Sequence, residues 1–336
     1  MIPEQAKQNI IIFDAFEKMH SVFFQYPDKS RIMVSISGGS DSDIMLDMCM
    51  HFDTKKEMHY VFYDTGIEYE ATKRHFDYLE KRYDVEIERI KAVEPVPLAV
   101  KRGGLPFLSK TISQKINRAT IKGFCFADND IDKLNITEKK WWTNELDSKF
   151  SINENYGLKE FLTENPPDFN ISDYCCFGAK KKTAHKFEKH NGIQLALMGM
   201  RRAEGGARIS RQSCFNNATK SSIANYTPLW WFSDNDKSEY EKLFGIVHSD
   251  CYTVYGMKRT GCTGCPFGSG FELELKIIEK YEPKLHKACL NIFGKSYEYT
   301  RKYRAFKKAM KCRERLGIDK NQITMYELTA QSGKGE

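Results

Sequence analysis

The chain has 336 residues, of which 41% are hydrophobic and 29% charged, and its formal net charge is +7. This composition predicts a globular protein with enough apolar residues for one large core or two modest ones. The sequence contains no run of eighteen apolar residues, so no membrane span is expected. The N-terminus lacks a charged-then-apolar leader, so a cytoplasmic protein is expected, with ten cysteines that are thiols or ligands rather than disulfides.

A helix is predicted over residues 4–25, and residues 31–42 then predict a strand, a glycine-rich turn and a second helix. Such a turn lets backbone N–H groups approach an anion, and the helix N-terminus adds a favourable dipole. An ordinary tight turn is the alternative interpretation. The turn lacks the Gly-Lys-Ser/Thr ending of a Walker loop. The residues expected to bind phosphate are Ser37, Gly38, Gly39, Ser40, Asp41 and Ser42.

Two further strands are predicted at residues 58–63 and 85–90, with a helix between them. Strands that alternate with helices indicate a parallel sheet, and ligands bind such sheets beyond the carboxyl ends of the strands. The second strand is followed by four candidate site residues at that edge, Asp64, Thr65, Gly66 and Glu68. A simple helix cap is the alternative role for Asp64.

Residues 123–170 show no clear pattern, and two interpretations stay open: an insertion or lid over the site, or a helical hairpin with its own small core. A helix over residues 180–190 and an apolar strand over residues 192–198 follow. The segment after this strand is rich in glycine and arginine. Because guanidinium groups bind phosphate or sulfate bidentately, it predicts anion recognition, with an exposed basic loop as the alternative. Its candidate residues are Gly199, Arg201, Glu204 and Arg208.

Four of the ten cysteines form two pairs, Cys175-Cys176 and Cys262-x-x-Cys265. A Cys-x-x-Cys motif turns two thiolates towards one centre, and the proline that follows it here is frequent after iron–sulfur ligands. A four-cysteine zinc site, a thioredoxin-type redox pair and inert buried thiols are the other interpretations. The pairing favours an iron–sulfur site.

The C-terminal part is basic and predicts two helices beyond residue 271. Residues 276–315 contain thirteen Lys or Arg and four Glu, a net +9, so the remainder of the chain sums to −2. A solvated helix face and a surface for nucleic acid both fit this charge.

These motifs, in this order over residues 30–270, resemble the phosphoadenosine phosphosulfate (PAPS) reductase family of the adenine nucleotide alpha-hydrolase superfamily. The matching elements are Ser-Gly-Gly-x-Asp-Ser, Asp-Thr-Gly, Gly-x-Arg, Pro-Leu-x-x-Trp/Phe (here with Phe) and Arg-x-Gly-Cys-x-x-Cys-Pro. The resemblance implies that the first loop grips nucleotide phosphates, that Asp64, Thr65 and Gly66 line the same pocket, and that Arg259 reaches it. The cysteine set is similar to that of the adenosine 5′-phosphosulfate (APS) reductase branch. This implies a [4Fe–4S] cluster on Cys175, Cys176, Cys262 and Cys265.

The sequence departs from the reductases at one important motif. Those enzymes carry a nucleophilic cysteine in Glu-Cys-Gly-x-His near the C-terminus, whereas residues 326–336 contain no cysteine and the surroundings of Cys312 differ. The same fold with a cluster also resembles the ATP pyrophosphatase-like component of DNA phosphorothioation systems. That resemblance implies a cysteine desulfurase or another sulfur-pathway protein as partner, and DNA or another nucleic acid bound through the basic C-terminal helices.

We therefore expect an α/β fold, a parallel twisted sheet with helices on both faces, of the adenine nucleotide alpha-hydrolase type. The expected division is an N-terminal helix (1–29), a nucleotide-binding domain (30–270) and a basic helical extension (271–336). The expected function is an iron–sulfur enzyme that binds ATP or a related adenine nucleotide with Mg²⁺ and acts at the α-phosphate in sulfur transfer. Asp41, Arg201 and Arg208 are its candidate catalytic residues. A sulfonucleotide reductase and a nucleotide-binding regulatory subunit with a structural cluster are the alternatives.

Overall fold

The computed structural model describes residues 2–145, 151–205, 208–209, 211–268 and 270–317. The chain divides into two compact units. The first comprises Met1–Gly103 and Tyr174–Ile292, and the second comprises Gly104–Asp173 and Phe293–Glu336. All the site residues that the sequence predicts fall in the first unit.

The first unit is built on a six-stranded sheet. Its strands are β1 (Ile32–Ser35), β2 (His59–Asp64), β3 (Ile87–Lys91), β4 (Leu195–Met198), β5 (Phe215–Asn216) and β6 (Ala224–Tyr226). Their order is β3-β2-β1-β4-β6-β5, and every neighbouring pair is parallel except β5 with β6. The direction in which strands are added reverses at β1, which has β2 on one side and β4 on the other. In open sheets this reversal places a ligand crevice at the carboxyl ends of the two central strands.

The helices surround this sheet and build the second unit. Those of the first unit are α1 (Ile10–Gln25), α2 (Ser40–Met50), α3 (Glu70–Tyr83), α4 (Val96–Gly103), α8 (Tyr174–Cys176), α9 (Lys182–His190), α10 (Asp234–Phe244), α11 (Asp250–Thr253) and α12 (Phe271–Tyr281). Those of the second unit are α5 (Lys110–Thr120), α6 (Ile136–Trp142) and α7 (Leu158–Glu164). Helix α13 (Pro283–Arg315) begins in the first unit and belongs to the second from Phe293 onwards. A π-helical turn, Phe177–Lys181, joins α8 to α9.

Local capping explains where several helices begin and end. The Asn9 side chain accepts hydrogen bonds from the first free N–H groups of α1, and Ser233 with Asp236 forms a capping box at the start of α10. The C-cap residue of α10 is Gly245 and that of α3 is Asp84, and both have a positive φ. Such caps satisfy the backbone groups that a helix leaves unpaired, so these ends follow from the local sequence.

Both faces of the sheet are buried. On β1, Ile32 and Val34 point into the larger core, which also contains buried side chains of α1, α2, α3 and α10. Met33, between them, points to the opposite face and packs in a smaller core with Val61 and with Phe187 of α9. Successive side chains of a strand alternate between faces, so one short apolar strand contributes to two cores.

The second unit has a core of its own. Its buried side chains include Phe107, Trp141, Trp142, Phe161, Tyr299 and Tyr303. The two ends of the inserted segment meet where Leu105 N–H donates to the Asn170 carbonyl at 2.7 Å. Gly104 next to it has φ +108°, and a Cβ there would lie 2.5 Å from the Asn170 oxygen. The stretch 123–170, whose role the sequence left open, lies inside this unit.

The α/β class with a mostly parallel sheet is confirmed, and the strands predicted near residues 32, 58, 85 and 192 exist as β1 to β4. The sequence did not predict β5 and β6, which are two and three residues long. The predicted N-terminal helix is divided into a 3₁₀ segment, Glu4–Gln8, and α1. None of the described helices is long and apolar enough to cross a membrane. The division into 1–29, 30–270 and 271–336 stays a prediction.

Candidate active site

The glycine-rich loop after β1 is held in shape by its own side chains. Gly38 has φ +66°, and a Cβ there would lie 2.5 Å from Cγ2 of Thr72, so both backbone and space require glycine. The Ser42 hydroxyl accepts from the Ser37 N–H at 3.2 Å and donates to the Gly39 carbonyl at 2.8 Å. The loop is therefore preformed, and Ser42 uses its hydroxyl inside it.

A second segment closes on this loop from the C-terminal half of the first unit. The Ser40 N–H donates to the Tyr252 hydroxyl at 3.1 Å, and that hydroxyl lies 3.1 Å from Oγ1 of Thr260. Thr260 is two residues before Cys262. The segment that carries the Cys-x-x-Cys motif is thus joined to the loop by hydrogen bonds, through two residues that the sequence did not single out.

The segment after β4 approaches the backbone of the same loop. A Cβ on Gly199 would lie 2.8 Å from the Asp41 carbonyl oxygen and 2.9 Å from Cα of Ser42. Backbone atoms cannot move aside as a flexible side chain can, so only glycine permits this approach. The structure therefore brings the two segments together at the reversal point of the sheet, as their positions after neighbouring strands predict.

The Asp41 carboxylate is the centre of a charged cluster. Nε of Arg201 lies 3.1 Å from both carboxylate oxygens, and Nζ of Lys237 lies 2.7 Å from Oδ1. Arg201 also pairs with Asp234 on α10 at 2.8 Å. The Arg201 side chain is only 8% exposed, so these charges lie close together with little solvent screening.

The other members of the arginine-rich segment occupy different places. Glu204 accepts a hydrogen bond from the Arg201 N–H at 3.2 Å and forms an ion pair with Arg208 at 3.5 Å. The contact that the structure gives to Arg208 is therefore with Glu204. Its predicted catalytic role stays a prediction. Residues 206 and 207 of this segment lie outside the described residues.

The turn after β2 forms the opposite side of this edge. Oδ1 of Asp64 accepts from the Gly66 N–H at 2.9 Å, so Asp64 closes the turn. Thr65 is fully buried and donates its hydroxyl to Oε1 of Glu68 at 2.5 Å. Burial raises the pKa of Glu68, although the Thr65 hydrogen bonds and nearby Lys180 oppose this shift. Oγ1 of Thr65 also lies 3.8 Å from Sγ of Cys262, which links this turn to the cysteines.

The structure brings the four paired cysteines within electrostatic range of one another. The pKa of Cys175 is raised chiefly by its hydrogen bond with Cys176 and by burial, with further contributions from Cys265 and Cys262. Burial, and then the neighbouring Cys262, raise the pKa of Cys265 to about 12. Burial also raises the pKa of Cys262, while the nearby Lys180 lowers it.

This donor set fits a metal centre chemically. Four thiols facing one another repel when ionised, and a metal ion or iron–sulfur cluster removes that repulsion. Cys262 is also the largest factor that raises the pKa of Lys180, so this lysine lies beside the cysteine set. Among the described residues, no three His, Cys, Asp or Glu side chains are already arranged around a point that would hold a metal ion. The [4Fe–4S] cluster stays a prediction.

Helix α12 holds the Cys-x-x-Cys loop in place. Glu274 accepts a hydrogen bond from the Gly264 N–H, between the two cysteines, at 2.8 Å and another from the Tyr69 hydroxyl. The Thr263 N–H donates to the Ile67 carbonyl at 3.2 Å. Arg259, predicted to reach the nucleotide, lies close enough to Glu274 to lower its pKa, which burial raises overall. No local pattern marks Glu274, because an isolated acidic residue in an amphipathic helix is ordinary.

A buried acid–histidine chain lies behind the loop. Asp43, fully buried in the first turn of α2, contacts Nε2 of His75 at 3.0 Å and Nδ1 of His248 at 2.8 Å. Nε2 of His248 lies 2.9 Å from Glu241 of α10. Burial alone would lower the pKa of His248, but the hydrogen bonds to Asp43 and Glu241 outweigh it and raise the pKa to about 9.

This shift predicts a pH-dependent stability. An unfolded histidine has a pKa of about 6.5, so the folded state binds the His248 proton more tightly. The contribution should be complete below pH of about 6.5 and lost as the pH rises through about 9. In the wild type this loss should lower the thermal unfolding midpoint as the pH rises through this range. His248→Gln should make the midpoint depend less on pH, whereas His190→Gln, at an exposed histidine, should leave the pH dependence unchanged. Equal slopes in wild type and His248→Gln would contradict the assignment.

The close approach at Gly199 makes a second prediction. Gly199→Ala should displace the backbone of residues 41 and 42 and weaken the binding of ATP by about tenfold or more, as the loss of one good hydrogen bond does. Gly294→Ala, where a Cβ meets nothing within 4 Å, is the control. Titration calorimetry measures both affinities. Wild-type affinity in Gly199→Ala would show that the loop tolerates a side chain there.

This chain is similar to known proteins over one domain, to one longer relative and to several solved structures. Residues 31–104 match the family model of the phosphoadenosine phosphosulfate reductase domain. The uncharacterized protein MJ0066 of Methanocaldococcus jannaschii is 24% identical over 284 residues. That alignment covers 82% of this chain and 43% of the relative, so the chain spans less than half of that protein's length.

Solved structures with a similar arrangement are more distant. The PAPS reductase of Candida auris has 14% identity and a TM-score of 0.42, covering 74% of this chain and 87% of its own. The U34-tRNA thiolase NcsA of Methanococcus maripaludis, solved with its [4Fe–4S] cluster, has 13% identity and a TM-score of 0.37, covering 89% and 80%. The NH3-dependent NAD synthetase of Campylobacter jejuni has 12% identity and a TM-score of 0.31, covering 85% and 95%.

The domain match coincides with β1, the glycine-rich loop and the turn after β2, which are the elements that carry the resemblance in the sequence. The predicted resemblance is therefore confirmed over residues 31–104, which match the phosphoadenosine phosphosulfate reductase domain.

Proposed function

We propose that this chain is an enzyme that binds ATP, or a related adenine nucleotide, in the Ser37–Ser42 loop and acts at the α-phosphate. In the proposed reaction an acceptor oxygen forms a bond to the α-phosphorus, the bond from the α-phosphorus to the bridging oxygen breaks, and pyrophosphate leaves. The adenylated acceptor then enters a sulfur-transfer pathway. The domain match supports an enzyme of this family, and the reaction itself is the proposal.

One observation carries the proposal. The preformed loop after β1, the buried Arg201 after β4 and the Thr65 turn after β2 converge at the reversal point of one parallel sheet. The 3.8 Å distance from Oγ1 of Thr65 to Sγ of Cys262 supports a thiol site beside the proposed phosphate site. A phosphate cradle next to a site for sulfur or redox chemistry fits sulfur transfer better than simple nucleotide binding.

The chain's own residues account for phosphate binding and charge stabilisation. Backbone N–H groups at the start of α2 and the helix dipole favour the phosphate oxygens. The guanidinium of Arg201, held by Asp41 and Asp234, is positioned to stabilise negative charge that develops on the phosphate chain. The Ser40 N–H donates to the Tyr252 hydroxyl, so this hydrogen bond must be shared or broken when the N–H binds phosphate.

The four cysteines are the proposed ligands of a [4Fe–4S] cluster. A bound cluster would supply a negatively charged and redox-active centre beside the nucleotide. Lys180, whose pKa is raised chiefly by Cys262, would then face an anionic neighbour.

Helix α13 is the proposed surface for an acidic partner, such as DNA or another nucleic acid. Exposed basic residues along its second half include Lys302, Lys308 and Arg315. Lys and Arg side chains on one helix bind phosphate backbones through electrostatic attraction and counterion release. A cysteine desulfurase or another sulfur-pathway protein remains the proposed sulfur donor. The residues beyond 317 lie outside the described part of the chain.

Product analysis tests the reaction. Purified protein with ATP and Mg²⁺ should release AMP or an AMP adduct together with pyrophosphate. Arg201→Lys should reduce turnover by about tenfold or more, because one ammonium cannot reproduce the fork that binds Asp41 and Asp234. Arg202→Lys is the matched control, since Arg202 lies over the Trp231 ring.

Three other outcomes would contradict the proposed reaction. Release of ADP and phosphate would place the cleavage at the γ-phosphate. Release of sulfite from APS or PAPS would identify a sulfonucleotide reductase, the class named by the matching domain. Tight nucleotide binding without turnover, in the presence of candidate acceptors and sulfur donors, would identify a regulatory subunit.

Metal analysis tests the cluster. Protein prepared without oxygen should contain about four irons and four sulfides per chain, the content of a four-thiolate cluster. Cys265→Ser should lose iron and lower the thermal stability, because metal-binding free energy contributes to folding. Cys312→Ser, at an exposed cysteine of α13, should keep both. Stoichiometric zinc in place of iron would refute the cluster but retain a four-cysteine site, and a metal-free protein would refute both.

A further inference from the structure

Lys237 on α10 contacts the glycine-rich loop, although no motif in the sequence marks it. Its Nζ lies 2.7 Å from Oδ1 of Asp41 and also donates to the Ser40 hydroxyl. The side chain is 17% exposed. A lysine that lies this close to the first residues of α2 is beside the helix end that attracts anions.

Lys237 shares its acidic partner Asp41 with Arg201. Asp41 carries one negative charge and contacts two cations, Arg201 and Lys237. Asp234, the second partner of Arg201, has a side chain that is 87% exposed, so water screens its charge. The described acidic contacts of Lys237 are therefore Asp41, which it shares with Arg201, and a longer ion pair with Glu241.

The ammonium group also has a donor to spare. A lysine ammonium has three N–H donors, and two of them reach Ser40 and Asp41. The nearest further acid, Glu241, lies 3.9 Å away, which is beyond a hydrogen bond. The third N–H can thus bind an incoming oxygen while the other two remain in place.

The position of Lys237 is fixed by the packing of α10 against α2. Glu241, one helical turn further on, is held by His248, which in turn contacts the buried Asp43. The Tyr240 hydroxyl donates to Asp47 of α2 at 2.6 Å. These bonds fix the position of α10 beside the loop. The Lys237 side chain therefore loses little conformational freedom when a ligand binds.

We propose that Lys237 is a phosphate-binding residue that donates to an oxygen of the nucleotide's phosphate chain. The inference rests on the proposed function, since it assumes that the loop holds a nucleotide. It adds a cationic contact, from a helix far along the chain, to the backbone donors predicted for the glycine-rich loop and the guanidinium predicted for the arginine segment. Asp41 then acts as the shared anchor that sets the spacing between the Arg201 and Lys237 cations.

Binding measurements with three ligands test the assignment. ATP, inorganic pyrophosphate and adenosine are titrated into wild type, Lys237→Met, Lys237→Arg and the control Lys242→Met, an exposed lysine of the same helix. Lys237→Met should lose about tenfold or more in affinity for ATP and pyrophosphate, the effect of one charged hydrogen bond. Its affinity for adenosine should stay unchanged. Lys237→Arg should recover part of the loss, and Lys242→Met should behave as wild type.

Two results would overturn the inference. Unchanged ATP and pyrophosphate affinity in Lys237→Met would show that the lysine makes no phosphate contact. An equal loss for ATP and adenosine, with a lower unfolding midpoint, would show that Lys237 only neutralises Asp41. Failure of wild type to bind ATP and pyrophosphate is a different result, because it refutes the proposed function itself.

A footprint on the wild-type protein covers the case in which the variants do not fold. Lysine acetylation is followed by mass spectrometry with and without pyrophosphate. Pyrophosphate should slow modification of Lys237 by about tenfold, since a bound phosphate occupies the ammonium, and should leave Lys242 unchanged. Equal modification of Lys237 in both conditions would overturn the inference.

Discussion

The candidate site depends on how one carboxylate is shared. Asp41, at the start of α2, holds Arg201 from the segment after β4 and Lys237 from α10. Two cations this close repel each other, and the carboxylate between them makes the arrangement stable. Removal of Asp41 would leave Arg201 paired only with the exposed Asp234, and Lys237 only with Glu241 at 3.9 Å. The positions available to a phosphate therefore follow from this one group.

The thiol side of the site is joined to the phosphate side by neutral hydrogen bonds. Tyr252 connects the Ser40 amide with Thr260, and the Thr263 amide connects the Cys-x-x-Cys loop with the turn after β2. Binding at the loop must disturb the Tyr252 contact, so the two halves of the site are physically coupled. Charged groups differ between the two halves, because Arg201 and Lys237 lie beside the loop, whereas ionised cysteines would be anionic, with Lys180 beside Cys262.

Much of this site was predictable because its motifs are local. A strand followed by a glycine-rich turn and a helix brings Gly38 to a positive φ by covalent geometry and sterics, whatever the rest of the chain does. The positions of Asp64 and Gly199 followed from a general property of parallel sheets, namely that ligands bind where strands end. Individual roles were harder to predict. The Ser42 hydroxyl forms a hydrogen bond within the loop, and the described contact of Arg208 is with Glu204.

By itself, the sequence determined the fold class, the loop that can cradle an anion and the two cysteine pairs, because these depend on residue type and short spacing. Tertiary structure decided which distant side chains complete the site. Lys237 lies 196 residues from Asp41, Tyr252 lies 212 residues from Ser40, and Glu274 meets Tyr69 across 205 residues. Each is an ordinary residue of a helix, without a local pattern. Only the packing of α10, α11 and α12 against the carboxyl edge of the sheet brings these residues to the site.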